Sequence, residues 1–212
     1  MKKFLTILIL FAFAIGCEKE DLVLSERDKI EKYLANRGMV IAADTVNVVK
    51  DNPPFYDLFI RNKPNRYAFR HIVNYYEIDS TTYKRKRLSR PKVEWGDKID
   101  IRFSAYTFTG AEPWNSDASK SAIYWSNVPE IIAKLGEKNN ITLDWPTEPI
   151  TIELGKTEIL AGLELALSEG CRENDSLQVY MTSNLAYGKE LMGVVPKNSM
   201  VAWYLKIEKV RK

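Results

Sequence analysis

In the C-terminal part of the chain, apolar and polar residues alternate with a period of two, the pattern of strands that bury one face against a core. Ile150, Ile152 and Leu154 alternate with Thr151 and Glu153 until Gly155 ends the run; Leu177, Val179 and Met181 alternate again; Met200 to Ile207 places Trp203, Leu205 and Ile207 on one face. Between the first two runs the period changes. Leu160, Leu163 and Leu167 recur at spacings of three and four with Gly170 beyond them, which predicts a short helix. Leu185-Ala186-Tyr187-Gly188 reads as a loop ahead of the closing strand.

The rest of the chain alternates less regularly. Leu22 to Arg37 predicts a helix with Ser25 as N-cap, Asp28 three residues on, Ile30 and Leu34 as its apolar stripe, Tyr33 beside them and Gly38 as its stop. Met39 to Val49 and Phe55 to Arg61 are short strand candidates separated by Asp51-Asn52-Pro53-Pro54, and Arg66 to Ile78 is a longer one. Between Trp114 and Pro149 a further helix starts at Ser126-Asn127-Val128-Pro129-Glu130, with Pro in its first turn. Val128, Ile131, Ile132 and Leu135 are its stripe and Gly136 its stop. Tyr124, Trp125 and Trp145 add aromatic surface there.

The chain opens on Lys2-Lys3, an apolar run from Phe4 to Ile15, and Gly16-Cys17. That run is too short to span a bilayer and reads as a signal peptide. Ala14-Ile15-Gly16-Cys17 resembles a bacterial lipobox, with Ala14 in place of the usual Leu. The expectation is therefore a leader over residues 1–16 and an acylated Cys17 that anchors the protein in the cell envelope, at the outer membrane, facing the periplasm or the surface. The alternative is an ordinary secretory peptide cleaved nearby. Glu18-Lys19-Glu20-Asp21 resembles a surface-export tag of some Gram-negative lipoproteins, and reads equally as a solvated tether.

Composition narrows the chemistry. The 212 residues suit one domain with additions, and a net charge of +3 implies no dedicated acidic partner. With Cys17 acylated, Cys171 is alone and no intramolecular disulfide is available. The single histidine, His71, excludes a His-rich metal site and leaves a Ser-His-Asp triad only if it is the base. Neither a metal nor a cofactor is expected. Alternation puts His71 on a strand face with Tyr67, Phe69 and Val73. Lys84, Arg85, Lys86, Arg87, Arg90 and Lys92 form a basic cluster that reads as a solvated hairpin loop, with anionic lipid head groups or polysaccharide as the alternative contact. Nucleic acid is not expected of an exported chain.

A series of short motifs then resembles the FKBP-type peptidyl-prolyl isomerases. In order they are Gly96-Asp97 before the strand Lys98 to Phe103, Glu153-Leu154-Gly155, Glu158-Ile159-Leu160-Ala161-Gly162-Leu163, Leu185-Ala186-Tyr187-Gly188, Val194-Val195-Pro196 and the closing strand. The resemblance implies an α+β fold in which a curved antiparallel sheet wraps around one short helix, here with an N-terminal helix and an inserted helical segment. The chain divides on this reading into the leader (1–16), a tether with a helix and short strands (17–65), and an FKBP-like domain (66–212) with an insert over 116–148 at the pocket rim.

Carried over by position, the resemblance implies a pocket of Phe103, Trp114, Asn115, Ile150, Ile159, Leu160, Leu163, Val194 and Trp203, with the Tyr187 hydroxyl and the Leu160 backbone N–H as donors to substrate carbonyl groups. Phe103 stands where the family has tyrosine, Asn115 where it has aspartate and Leu163 where it has tryptophan. The polar pair formed by that tyrosine and aspartate is missing, so an apolar, widened pocket is expected. The function implied is a peptidyl-prolyl cis-trans isomerase or folding helper of the envelope with weakened activity, acting on proline-containing polypeptides. The alternative is a catalytically inactive FKBP-fold lipoprotein that binds another envelope protein through the pocket rim and the insert.

Overall fold

The structure is a computed structural model that describes residues 21–42, 54–60, 65–113 and 122–212. The described chain runs from helix α1 (21–36) through β1 (Val40–Ile41), β2 (Phe55–Ile60), β3 (Tyr67–Ile72), β4 (Lys98–Phe108), β5 (Ile123–Ser126), α2 (Pro129–Asn139), β6 (Ile150–Glu153), α3 (Ala161–Ser168), β7 (Ser176–Met181) and β8 (Met200–Arg211). These strands form one open, curved sheet in the order β1-β2-β3-β7-β8-β4-β5. Strands β5 and β6 share the outer edge of β4, β6 beside its first half and β5 beside its second. All pairs are antiparallel except β1 with β2.

The long pairing of β4 with β8 sets the register for both faces. Phe103 lies opposite Leu205 and Ala105 opposite Trp203. Side chains alternate along a strand, so Ile99, Ile101, Phe103 and Ala105 share one face with Val201, Trp203, Leu205 and Ile207. Leu163, Ala166 and Leu167 of α3 complete that core. The opposite face presents Tyr106, Phe108, Tyr180, Met200 and Ala202 to Val23, Ile30, Tyr33 and Leu34 of α1. A helix thus covers each face of the α+β fold, and α1 packs on the sheet.

Several local expectations change. Helix α1 already includes Asp21, so Ser25 lies inside it and caps nothing. Its neighbour Glu26 is buried and accepts the Ser183 N–H at 2.8 Å and the Ser183 hydroxyl at 3.0 Å. Strand β3 stops at Ile72, and Tyr75 and Tyr76 turn back to pack their rings against Phe55. The Met39 to Val49 candidate is a strand only at Val40–Ile41, and residues 43–53 lie outside the described chain.

The basic cluster is no solvated loop. Arg87 is buried and donates to both carboxylate oxygens of the fully buried Asp175, at 3.0 and 2.6 Å. Lys86 and Arg90 pair with Glu77, and Arg85 lies over the rings of Tyr75 and Tyr76. Helix α2 begins with Val128 at its N-cap and Pro129 in its first turn. Ser126 instead ends β5, its hydroxyl bonded to the Phe103 carbonyl and the Val128 N–H.

Candidate active site

The face of the sheet that carries α3 also carries a cavity of about 520 Å³ at the start of that helix. Strand β6 supplies Ile150 and Ile152, the segment before α3 supplies Ile159 and Leu160, and α3 itself supplies Leu163. Tyr187 enters from the loop after β7, Trp203 from β8 and Trp125 from β5. Glu158, Glu190 and Met192 stand at the cavity as well.

Local geometry explains why the helix begins where it does. Gly155 has φ +83°, and a Cβ there would stand 2.5 Å from the Trp95 ring, so the turn after β6 requires glycine. At Gly162 a Cβ would lie 2.8 Å from the Met181 Cβ, so α3 approaches β7 closely enough to leave no room for a side chain. Leu160 is the N-cap. Its carbonyl accepts the N–H groups of Leu163 and Glu164 at 2.9 and 3.0 Å, whereas its own N–H meets no acceptor among the described residues. Behind the cavity, the contact of Glu26 with Ser183 fixes the turn Ser183–Leu185 that leads to Tyr187.

Six of the expected site residues converge: Ile150, Ile159, Leu160, Leu163, Tyr187 and Trp203 all line this cavity. Phe103 does not reach it. Its ring is fully buried and stacks against Trp203 at 4.5 Å and 17°, so it supports the wall from behind. Val194 is 75% exposed and lies off the lining, because the loop after Tyr187 turns outward there. Trp114 and Asn115 fall outside the described residues.

Two residues of the insert take part that the motif comparison missed. Trp125 lines the cavity and packs edge-on against Phe103 and Trp203. Tyr124 links two walls: the Trp203 Nε1–H donates to its hydroxyl at 3.0 Å, and that hydroxyl lies 3.1 Å from the Tyr187 hydroxyl. An apolar-aromatic run, Ile123-Tyr124-Trp125, was the available signal. Burial pushes the Tyr124 phenol strongly upward, so it keeps its proton across physiological pH. Burial raises Tyr187 too, with the bond to Tyr124 acting in the opposite sense.

Another opening, of about 800 Å³, lies on the opposite face. Val128, the N-cap of α2, and Ile131 line it, so this part of the insert helix faces away from the aromatic cavity. Polar groups of its sheet-side wall are already engaged, with Ser104 bonded to Ser126 and Tyr204 to Glu112. The smaller cavity, with aromatic walls and unused donors, is the better candidate. Among the described residues no cluster of His, Cys, Asp or Glu could hold a metal ion.

The α+β sheet thus carries a short helix on one face and, at the start of that helix, an aromatic-walled cavity. Residues 133–208 match the family model of the FKBP-type peptidyl-prolyl cis-trans isomerases, a span that takes in β6, α3, β7, the Tyr187 loop and most of β8. This part of the chain, 76 of its 212 residues, is similar to the domain of that family. No curated protein matches the chain. Solved structures that it resembles include the three FKBP domains of wheat FKBP73, at 12% identity and TM-score 0.45 over 73% of this chain and 50% of that one. The N-terminal domain of FKBP42 from Arabidopsis thaliana gives 15% identity and TM-score 0.44 over 73% of this chain and 92% of that one. The chain spans half the length of the wheat structure.

Proposed function

We propose that the protein is a peptidyl-prolyl cis-trans isomerase or folding helper of the cell envelope, of weakened activity, held to a membrane by lipid on Cys17. The observation that carries the catalytic part is the convergence of Ile159, Leu160, Leu163, Tyr187 and Trp203 on one cavity inside the span that matches the family. Rotation about an X-Pro bond meets a barrier of about 18–20 kcal/mol because amide resonance must be broken. No nucleophile is required. An apolar cavity excludes water from the proline ring and favours the twisted amide, which is less dipolar than the planar one. The Leu160 N–H and the Tyr187 hydroxyl are the donors available to the flanking carbonyl groups.

Weakened activity rests on the lining. Leu163 offers an aliphatic floor, and Phe103 has no hydroxyl to contribute. A second reading, an inactive domain that holds another envelope protein at the cavity rim, is favoured by the Tyr187 hydroxyl having a partner already in Tyr124. One assay separates the two. The folded chain is expected to accelerate isomerisation of X-Pro model peptides, and Tyr187→Phe to slow it about threefold to tenfold, the value of one hydrogen bond of about 0.5–1.5 kcal/mol. If the wild type leaves the uncatalysed rate unchanged with several peptides, the binding reading replaces the enzymatic one.

A further inference from the structure

We infer that Tyr124, on the insert strand β5, is a positioning residue for this site: it fixes the direction of a hydrogen-bond chain Trp203–Tyr124–Tyr187 so that the Tyr187 proton points to the substrate. The inference rests on the isomerase reading above and adds to it a role for the insert.

The direction follows from the chemistry of the three groups. An indole N–H can only donate, so at 3.0 Å the Trp203 Nε1–H occupies an acceptor position of the Tyr124 oxygen. Tyr124 then has one proton to place, and the Tyr187 oxygen at 3.1 Å is the acceptor that it meets among the described residues. With its oxygen accepting from Tyr124, the Tyr187 hydroxyl has its own proton left over. Tyr187 lines the cavity. The opposite orientation, Tyr187 donating to Tyr124, would turn the Tyr187 proton away from the ligand and leave the Tyr124 proton without an acceptor in a buried setting, which is costly.

The surrounding rings hold the chain in place. Tyr124 and Tyr187 meet edge to face at 6.0 Å. Trp203 is held between Phe103, stacked at 4.5 Å, and Trp125, edge-on at 5.9 Å. Trp125 adjoins Tyr124 on β5, whose register on β4 pairs it with Ala105. Tyr124, Trp125 and Trp203 therefore form one wall, and the proton at Tyr187 is oriented by that wall.

The test is a double-mutant cycle read beside a titration, on the intact chain. Tyr124→Phe is expected to lower kcat/KM for an X-Pro peptide roughly threefold to tenfold in the wild-type background and by less than about twofold in the Tyr187→Phe background. Equal losses in the two backgrounds would make Tyr124 merely structural and overturn the inference. The second readout needs no turnover. Loss of a donor to the Tyr187 oxygen destabilises its phenolate, so with ring-labelled tyrosine the Tyr187 resonance should titrate at higher pH in Tyr124→Phe than in the wild type. An unchanged Tyr187 titration overturns the inference even if catalysis is intact, and a raised one supports it even if the wild type proves inactive and the isomerase reading fails. Should Tyr124→Phe not fold, Tyr124→Leu, which removes the same hydroxyl, takes its place: the Tyr187 resonance should again titrate at higher pH, and an unchanged titration counts against the proposal.

Discussion

His71 contacts the Phe55 carbonyl through Nδ1 at 2.7 Å, and a carbonyl can only accept, so Nδ1 carries the proton. Burial pulls the imidazole below its ordinary value of 6.5, the bond to Phe55 and the charge of Asp57 raise it, and Arg37 lowers it further. The unfolded chain therefore binds more protons than the folded one just below pH 6.5, and stability contributed by neutral His71 is lost as pH falls through that region. Glu26 acts in the opposite sense. Burial raises its carboxyl above 4.5, so its contribution to stability falls as pH rises from there. The difference between wild type and His71→Gln isolates the histidine: denaturant midpoints between about pH 5 and 8 should rise with pH more steeply in the wild type, and parallel profiles would count against a buried neutral ring. Alternation in the sequence placed His71 beside Tyr67 and Phe69, a strand histidine with no catalytic partner. Arg87 was not legible in the same way. Nothing local distinguishes it from Arg85 or Lys86, and only the approach of Asp175, far along the chain, makes it a core residue.

At the scale of elements, the insert is part of the sheet edge. Asn127 is buried, and its amide accepts the Phe103 N–H at 2.6 Å while donating to the Ile101 carbonyl at 3.1 Å and the Glu148 carbonyl at 3.0 Å. Arg102 binds the carbonyls of Asn127 and Thr147, so both ends of the segment are tied to β4. Asn127→Ala leaves the Phe103 and Ile101 backbone groups without these partners and should cost about 1–3 kcal/mol in denaturant unfolding. A loss below about 0.5 kcal/mol, the range of ordinary surface substitutions, would show that water replaces the amide and that the segment is a detachable lid. The period of Val128, Ile131, Ile132 and Leu135 predicted α2, and its Pro129 was placed in the first turn. The four-residue strand β5 ahead of it was too short for periodicity to register. Its existence depends on an unpaired edge of β4 lying alongside.

For the molecule as a whole, the proposed lipid anchor rests on residues 1–20, outside the described chain, and no helix among the described residues is long and apolar enough to cross a membrane. Acyl chains on Cys17 would supply the membrane affinity, so Cys17→Ala should move the protein out of the membrane fraction, and unchanged partition would rule out that cysteine as the anchor. The sequence by itself determined the order of elements from β6 to β8 and the helix between them, while six of the cavity residues were named by what its motif resemblance implied. Periods of 2 and 3.6 are local, and Gly155 marks a backbone geometry that few other residues adopt. Tertiary structure alone decided which side of Trp203 Phe103 would occupy, that Val194 would stay outside, and that Tyr124 would bridge Trp203 and Tyr187. Each of these depends on strands far apart in the chain meeting at one register. A hydrogen bond between residues 79 positions apart leaves no periodic trace in either segment.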